Sequence, residues 1–111
     1  MGSIRQQKIS KVIQEELSVI FQRQARELGL GAMVTVTTVR VTSDLSLARV
    51  YLSIFAGPPK EEVLAHIQSN KGKVRGEVGK RLKSMRHIPD LAFFIDDSLD
   101  YAEKIDELLK Q

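Results

Sequence analysis

The chain has 111 residues, 42% hydrophobic and 28% charged, with no cysteine. That suits one soluble domain spanning residues 1–111 and excludes disulfides, thiol nucleophiles and thiolate metal sites. No apolar run reaches membrane-spanning length and no secretory leader precedes the first helix, so a cytoplasmic protein without a membrane partner is expected. The formal charge of +3 conceals an asymmetry: residues 71–86, KGKVRGEVGKRLKSMR, hold seven Lys or Arg against one Glu, whereas the other residues hold ten cations against thirteen anions.

Ser3-x-x-Gln6 is a capping-box pattern, and Ile9, Val12, Ile13, Leu17 and Ile20 then recur at helical spacing. The spacing predicts an amphipathic helix from about 4 to 27, ended by Leu28-Gly29-Leu30-Gly31, where glycine accommodates left-handed backbone. Residues 33–42, MVTVTTVRVT, alternate as a strand whose phase shifts between Val36 and Val39, which predicts a bulge near Thr37-Thr38. Thr42-Ser43-Asp44 turns the chain into a second strand over 46–56. There Ala48, Val50, Leu52 and Ile54 face one way and Arg49, Tyr51 and Ser53 the other, completing an antiparallel hairpin.

Gly57-Pro58-Pro59 breaks that strand, and Pro59 with Glu61 and Glu62 suits the first turn of a helix whose stripe is Val63, Leu64 and Ile67. The helix falters at Asn70-Lys71-Gly72 and a new one is expected to run to about Met85, with Ile88-Pro89 preventing continuation. Residues 91–95, LAFFI, read as a short buried strand with Phe93 and Phe94 in the core. Asp97 or Ser98 caps a last helix with Leu99, Ala102, Ile105, Leu108 and Leu109 inside. The order α-β-β-α-(kink)-α-β-α implies an α+β fold, a three-stranded sheet packed against helices.

On a helical wheel Val74, Val78, Leu82 and Met85 form the core face of the cationic helix, with Lys73, Lys80 and Lys83 nearly opposite and Gly72, Gly76 and Gly79 beside these lysines. A lysine-rich face is often no more than a solvated surface. This one has almost no acidic partners, and each interior glycine costs about 1 kcal/mol of helix stability relative to Ala. Close approach of another backbone accounts for such glycines: either a neighbouring protein element or a phosphodiester chain. The N–H groups at the start of the second helix suit a phosphate.

A helix, a glycine-containing hinge, a second helix and a strand form the heart of a KH domain, whose usual Gly-x-x-Gly loop is missing here. Instead the chain resembles the ribosome-binding factor A family of small-subunit assembly factors, which has a type II KH-like fold with a kink, typically Ala-x-Gly, in place of that loop. The resemblance rests on KISKVIQEELSVIFQR; on Val39-Arg40-Val41-Thr42 with Asp44-Leu45; on Ala48-Arg49-Val50-Tyr51; on Asn70-Lys71-Gly72 with Val74-Arg75 and Gly79-Lys80-Arg81-Leu82; and on Arg86, Pro89, Leu91, Phe93 and Asp97-Ser98. Asn70 departs from the usual Ala but tolerates a bend. The resemblance implies a non-catalytic, cofactor-free monomer that binds the free 30S ribosomal subunit and immature 16S rRNA. It also implies a part in late subunit assembly, 16S 5′-end maturation and cold adaptation. On this reading Lys71, Lys73, Arg75, Lys80, Arg81, Lys83 and Arg86 grip RNA phosphates, and Asn70 and Gly72 set the kink.

Other readings stay open: a KH-like module with a different RNA client, a protein-only adaptor docking through the glycine face, or a metal-dependent nuclease using Asp96, Asp97 and Asp100. The aspartates are more simply explained as helix capping. His66 and His87 are too far apart in sequence for a local metal pair, with His66 expected on a helix surface and His87 beside the cationic rim.

Overall fold

The computed structural model describes residues 3–83, 85 and 87–96, in the order α1 (Ile4–Arg23), α2 (Ala25–Gly29), β1 (Met33–Val41), β2 (Leu47–Phe55), α3 (Lys60–Ser69), α4 (Lys71–Arg81) and β3 (Asp90–Ile95). The expected C-terminal helix, with Asp97, Ser98 and Asp100, lies outside the described residues. The sheet order is β1-β2-β3, with β1 and β2 antiparallel and β2 and β3 parallel. The parallel pairing requires the α3–α4 crossover between its strands. The architecture is the expected α+β one, a three-stranded sheet packed on helices.

The capping box forms: Gln6 N donates to Ser3 Oγ at 3.1 Å and Ser3 N donates to Gln6 Oε1 at 2.9 Å. Helix α1 buries Ile13, Leu17, Ile20 and Phe21, while Val12, expected inside, is exposed. The helix stops at Arg23 rather than near 27. Gln24 leaves the helical basin at ψ 37°, and the chain restarts as α2. The cause is tertiary. This break brings Glu27 to α3 and α4, where its carbonyl oxygen lies 2.7 Å from His66 Nε2 and its carboxylate 3.5 Å from Lys73 Nζ. Leu30 (φ 53°) and Gly31 (φ 87°) then make the left-handed exit, with Gly31 N donating to Ala25 O.

The bulge falls between Val36 and Thr38, as the phase shift predicts. Gln14 on α1 donates to the carbonyls of Val36 and Thr37 at 3.3 and 3.4 Å, and Thr37 Oγ1 donates to Asp96 Oδ2 at 2.6 Å. The Gln14 bonds occupy backbone carbonyls at the bulge. The Thr37 bond gives Asp96 a structural role just after β3.

Val36, Val39, Val41, Ala48, Val50, Leu52, Ile54, Leu91 and Phe93 face the helices and join Ile13, Leu17, Val63, Ile67, Val74 and Val78 in one core. Each large side chain fully removed from water contributes about 1.5–3 kcal/mol. Phe21 meets Phe93 edge to face at 6.2 Å, linking α1 to β3. Phe94 differs from the sequence expectation: it is 42% exposed on the opposite sheet face. Period-2 alternation separates the two phenylalanines, and an apolar run alone cannot say which faces are covered.

Candidate nucleic-acid interface

Helices α3 and α4 are joined by a single residue. Asn70 adopts φ −106°, ψ 14°, closing α3 and opening α4 at once. Its N–H donates to Ile67 O at 3.0 Å, its side-chain Nδ2 donates to His66 O at 2.8 Å, and its carbonyl accepts from Val74 N at 3.1 Å. The amide side chain therefore serves the end of α3 and makes no cap to α4. The first N–H groups of α4 belong to Lys71, Gly72 and Lys73, all exposed, and have no intrahelical acceptor. A kink thus forms at the expected place without a Gly-x-x-Gly loop.

Val74 and Val78 are fully buried and Leu82 packs against the core, which orients α4 as the wheel predicts. The helix ends at Arg81, not near Met85. Arg75 on α4 holds the segment that returns toward β3: its Nε and Nη2 donate to Ile88 O at 3.1 and 2.6 Å, and Nε lies 3.3 Å from Pro89 O.

The glycines are open. A Cβ built at Gly72 or Gly76 meets nothing within 4 Å, and one at Gly79 reaches only Ile88 Cγ1 at 3.7 Å. No element among the described residues packs on them, so internal packing does not account for Gly72 and Gly76. With Arg75, His87 and Ile88 they line an open groove of about 310 Å³.

The cations divide into two sets. Arg75 is committed to the backbone at Ile88 and Pro89 and lies 3.6 Å from Asp90. Arg81 pairs with Glu16 of α1 at 3.2 Å, with both side chains mostly covered. Lys73 and Lys80 make loose, exposed contacts to Glu27 (3.5 Å) and Glu77 (3.9 Å), of the kind worth little in water. Lys71 and Lys83 are exposed and make no hydrogen bond or ion pair among the described residues; Lys83 lies in the turn after α4. Arg86 lies outside the described residues. The apparent lack of acidic partners is therefore a property of the local sequence only, because Glu16 and Glu27 arrive from α1 and α2. The six described cations thus differ in their contacts within the fold. The structure brings Lys71, Lys73, Lys80 and Lys83 to solvent near the groove and uses Arg75 and Arg81 to hold α4 in place.

Among the described residues no three acidic or imidazole side chains converge as metal ligands, and no helix is long and apolar enough to cross a membrane. His66 is half-buried against the α2 carbonyl and His87 is exposed at the groove.

A protein-family model described as ribosome-binding factor A matches residues 5–109. Ribosome-binding factor A of Flavobacterium johnsoniae is 47% identical over 111 residues, covering 98% of this chain and 85% of that protein. That of Brevibacillus brevis is 42% identical over 112 residues, covering 100% of this chain and 91% of that protein. In fold, the chain is similar to the crystal structure of ribosome-binding factor A from Thermus thermophilus (TM-score 0.68, 23% identity, 81% of this chain and 94% of that one). It is also similar to coordinates of the Thermus thermophilus protein fitted into a cryo-EM map of a 30S complex (TM-score 0.53, 21% identity, 73% and 96%).

Proposed function

The chain belongs to the ribosome-binding factor A family, and on that premise we propose that it binds the free 30S ribosomal subunit through immature 16S rRNA. It assists late assembly of the subunit and maturation of the 16S 5′ end, including in the cold, and acts by occupancy as a single-domain, cytoplasmic monomer. No bond is made or broken. A protein of similar fold fitted into a map of a 30S complex supports the choice of partner.

The observation that carries the reading is the groove on α4, where a Cβ at Gly72 or Gly76 would meet nothing, on a helix that also carries the exposed Lys71, Lys73 and Lys80. An RNA backbone can approach a bare helix closely there, with its phosphates near the lysine ammonium groups and the open N–H groups at the helix start. Lys71, Lys73, Lys80 and Lys83 supply the mobile charge. Arg75 and Arg81 position the helix and contribute to the surrounding potential. Asn70 and Gly72 set the angle at which this face is presented.

Co-sedimentation with purified small subunits and with complete ribosomes tests the partner. Enrichment on the free small subunit alone is expected, and equal binding to bulk RNA would favour a different RNA client. Replacing Lys71, Lys73, Lys80 and Lys83 with Gln should flatten the salt dependence of RNA binding by about 3 units, at roughly 0.7–0.9 per phosphate contact. A change below one unit would remove the ridge from the interface.

A further inference from the structure

The outer face of the sheet carries a second arrangement that the α4 groove does not use. The helical core residues pack on the inward side chains of the strands. On the other face Tyr51 of β2 and Phe94 of β3 are register partners whose rings stack at 5.5 Å and 28°. Phe94 is 42% exposed there. Two residues back along the same face, roughly 7 Å away, Arg49 of β2 pairs in register with Arg40 of β1. Like charges directly opposite each other destabilise a sheet. Neither arginine has a hydrogen bond or ion pair among the described residues, and both are exposed. The third member of their row is Ala92, which offers no counter-charge. The carboxylates of the neighbouring segments have partners of their own: Asp90 lies 3.6 Å from Arg75, Asp96 accepts from Thr37, and Asp44 accepts from Thr42 and Ser46.

An exposed aromatic stack beside an uncompensated arginine pair fits a ligand with flat rings and anionic groups one strand step apart. We infer that this face binds unpaired RNA, with a base stacking on Phe94 and Tyr51 and the adjoining phosphate held between Arg40 and Arg49. Stacking accepts any base, and the arginines offset the charge of the backbone. The same phosphate relieves the repulsion within the Arg40–Arg49 pair. This inference rests on the reading of the chain as an RNA binder, but it concerns a separate face. On that reading the α4 ridge holds phosphates, whereas the sheet face reads whether bases are free.

The test uses the full chain with a ten-nucleotide oligouridylate, an abasic strand of equal length and a short RNA duplex. The variants are Y51L/F94L, R40Q/R49Q and the four-lysine ridge variant. Y51L/F94L should bind oligouridylate about tenfold more weakly while its affinities for the duplex and the abasic strand stay those of the parent. R40Q/R49Q replaces exposed, unpartnered side chains, so its fold should survive; it should lower the single-strand salt slope by about 0.7 units, for the one phosphate the pair holds. The chain lacks tryptophan, so in a Y101F background the emission of Tyr51 should fall on addition of oligouridylate and not of the abasic strand. Failure of the parent to bind oligouridylate, or unchanged single-strand binding in both platform variants, would overturn the inference. So would loss of subunit co-sedimentation in the platform variants with oligouridylate binding intact, since the face would then dock a protein. The ridge variant keeps the two readings apart: normal subunit binding by it defeats the ridge while leaving the sheet result standing.

Discussion

Replacing Gly72 and Gly76 with Ala should move stability and RNA binding in opposite directions. A Cβ at either position finds open space, so the substitution brings no clash. In a helix interior Ala is favoured over Gly by about 0.8–1 kcal/mol. Gly76 lies mid-helix in α4 and should gain nearly the whole amount, while Gly72, in the first turn, should gain less, giving about 1–1.5 kcal/mol together. For a chain of this size that corresponds to a rise of roughly 4–8 °C in the thermal midpoint. The same two methyl groups stand on the floor of the groove, where they would hold a phosphodiester chain away from the helix. Affinity for small subunits should therefore fall about tenfold or more while the protein becomes more stable. Calorimetry and co-sedimentation of the same preparation read both quantities. A stabilised variant that binds as tightly as the parent would refute the close-approach argument, and a destabilised one would mean that another part of the chain occupies the groove.

Gly57→Ala should do the reverse. Its Cβ would stand 2.6 Å from Ala32 Cβ and 2.7 Å from Ala32 Cα, so backbone must shift at a cost of about 2 kcal/mol or more, visible as a lower denaturation midpoint. Arg75→Gln should cost about 1–2 kcal/mol, because Ile88 and Pro89 lose a charged donor while part of the side chain already faces water. Hydrogen exchange should rise around residues 88–91, and an effect confined to RNA affinity would contradict the positioning role. Asp44 is held at about 2 by bonds from the Ser46 hydroxyl, the Thr42 hydroxyl and Ser46 N–H, below the ordinary carboxylate value. Its support of the hairpin turn is thus fully present above pH ~4 and lost as pH falls through about 2. An NMR titration of its carboxyl carbon with a midpoint near 4 would disprove this.

Much of the fold is legible locally. Ser3 and Gln6 announce the start of α1, the phase slip in MVTVTTVRVT marks the bulge, and Asn70 marks the kink, because each depends on neighbours within a few residues. The glycine face and lysines of α4 follow from helical spacing alone. Sequence did not reveal the partners of those cations. Arg81 and Glu16 are 65 positions apart, and Lys73 and Glu27 are 46 apart, so only the packing of α1 and α2 against α4 decides which charges remain for RNA.

The open sheet face shows the same division. Alternation in β2 places Arg49 and Tyr51 on one side, but the residues beside them depend on strand register. Arg40 comes opposite Arg49 through the hairpin with its bulge, and Phe94 beside Tyr51 through a parallel pairing closed across two helices. By itself the chain's residue order determined most of the elements, the inward residues of β2 and α4 and the concentration of positive charge, since helix and strand periods are short-range. Tertiary structure alone decided which cations are spent inside the fold and which aromatic ring faces water, because both depend on contacts that form only when distant segments meet.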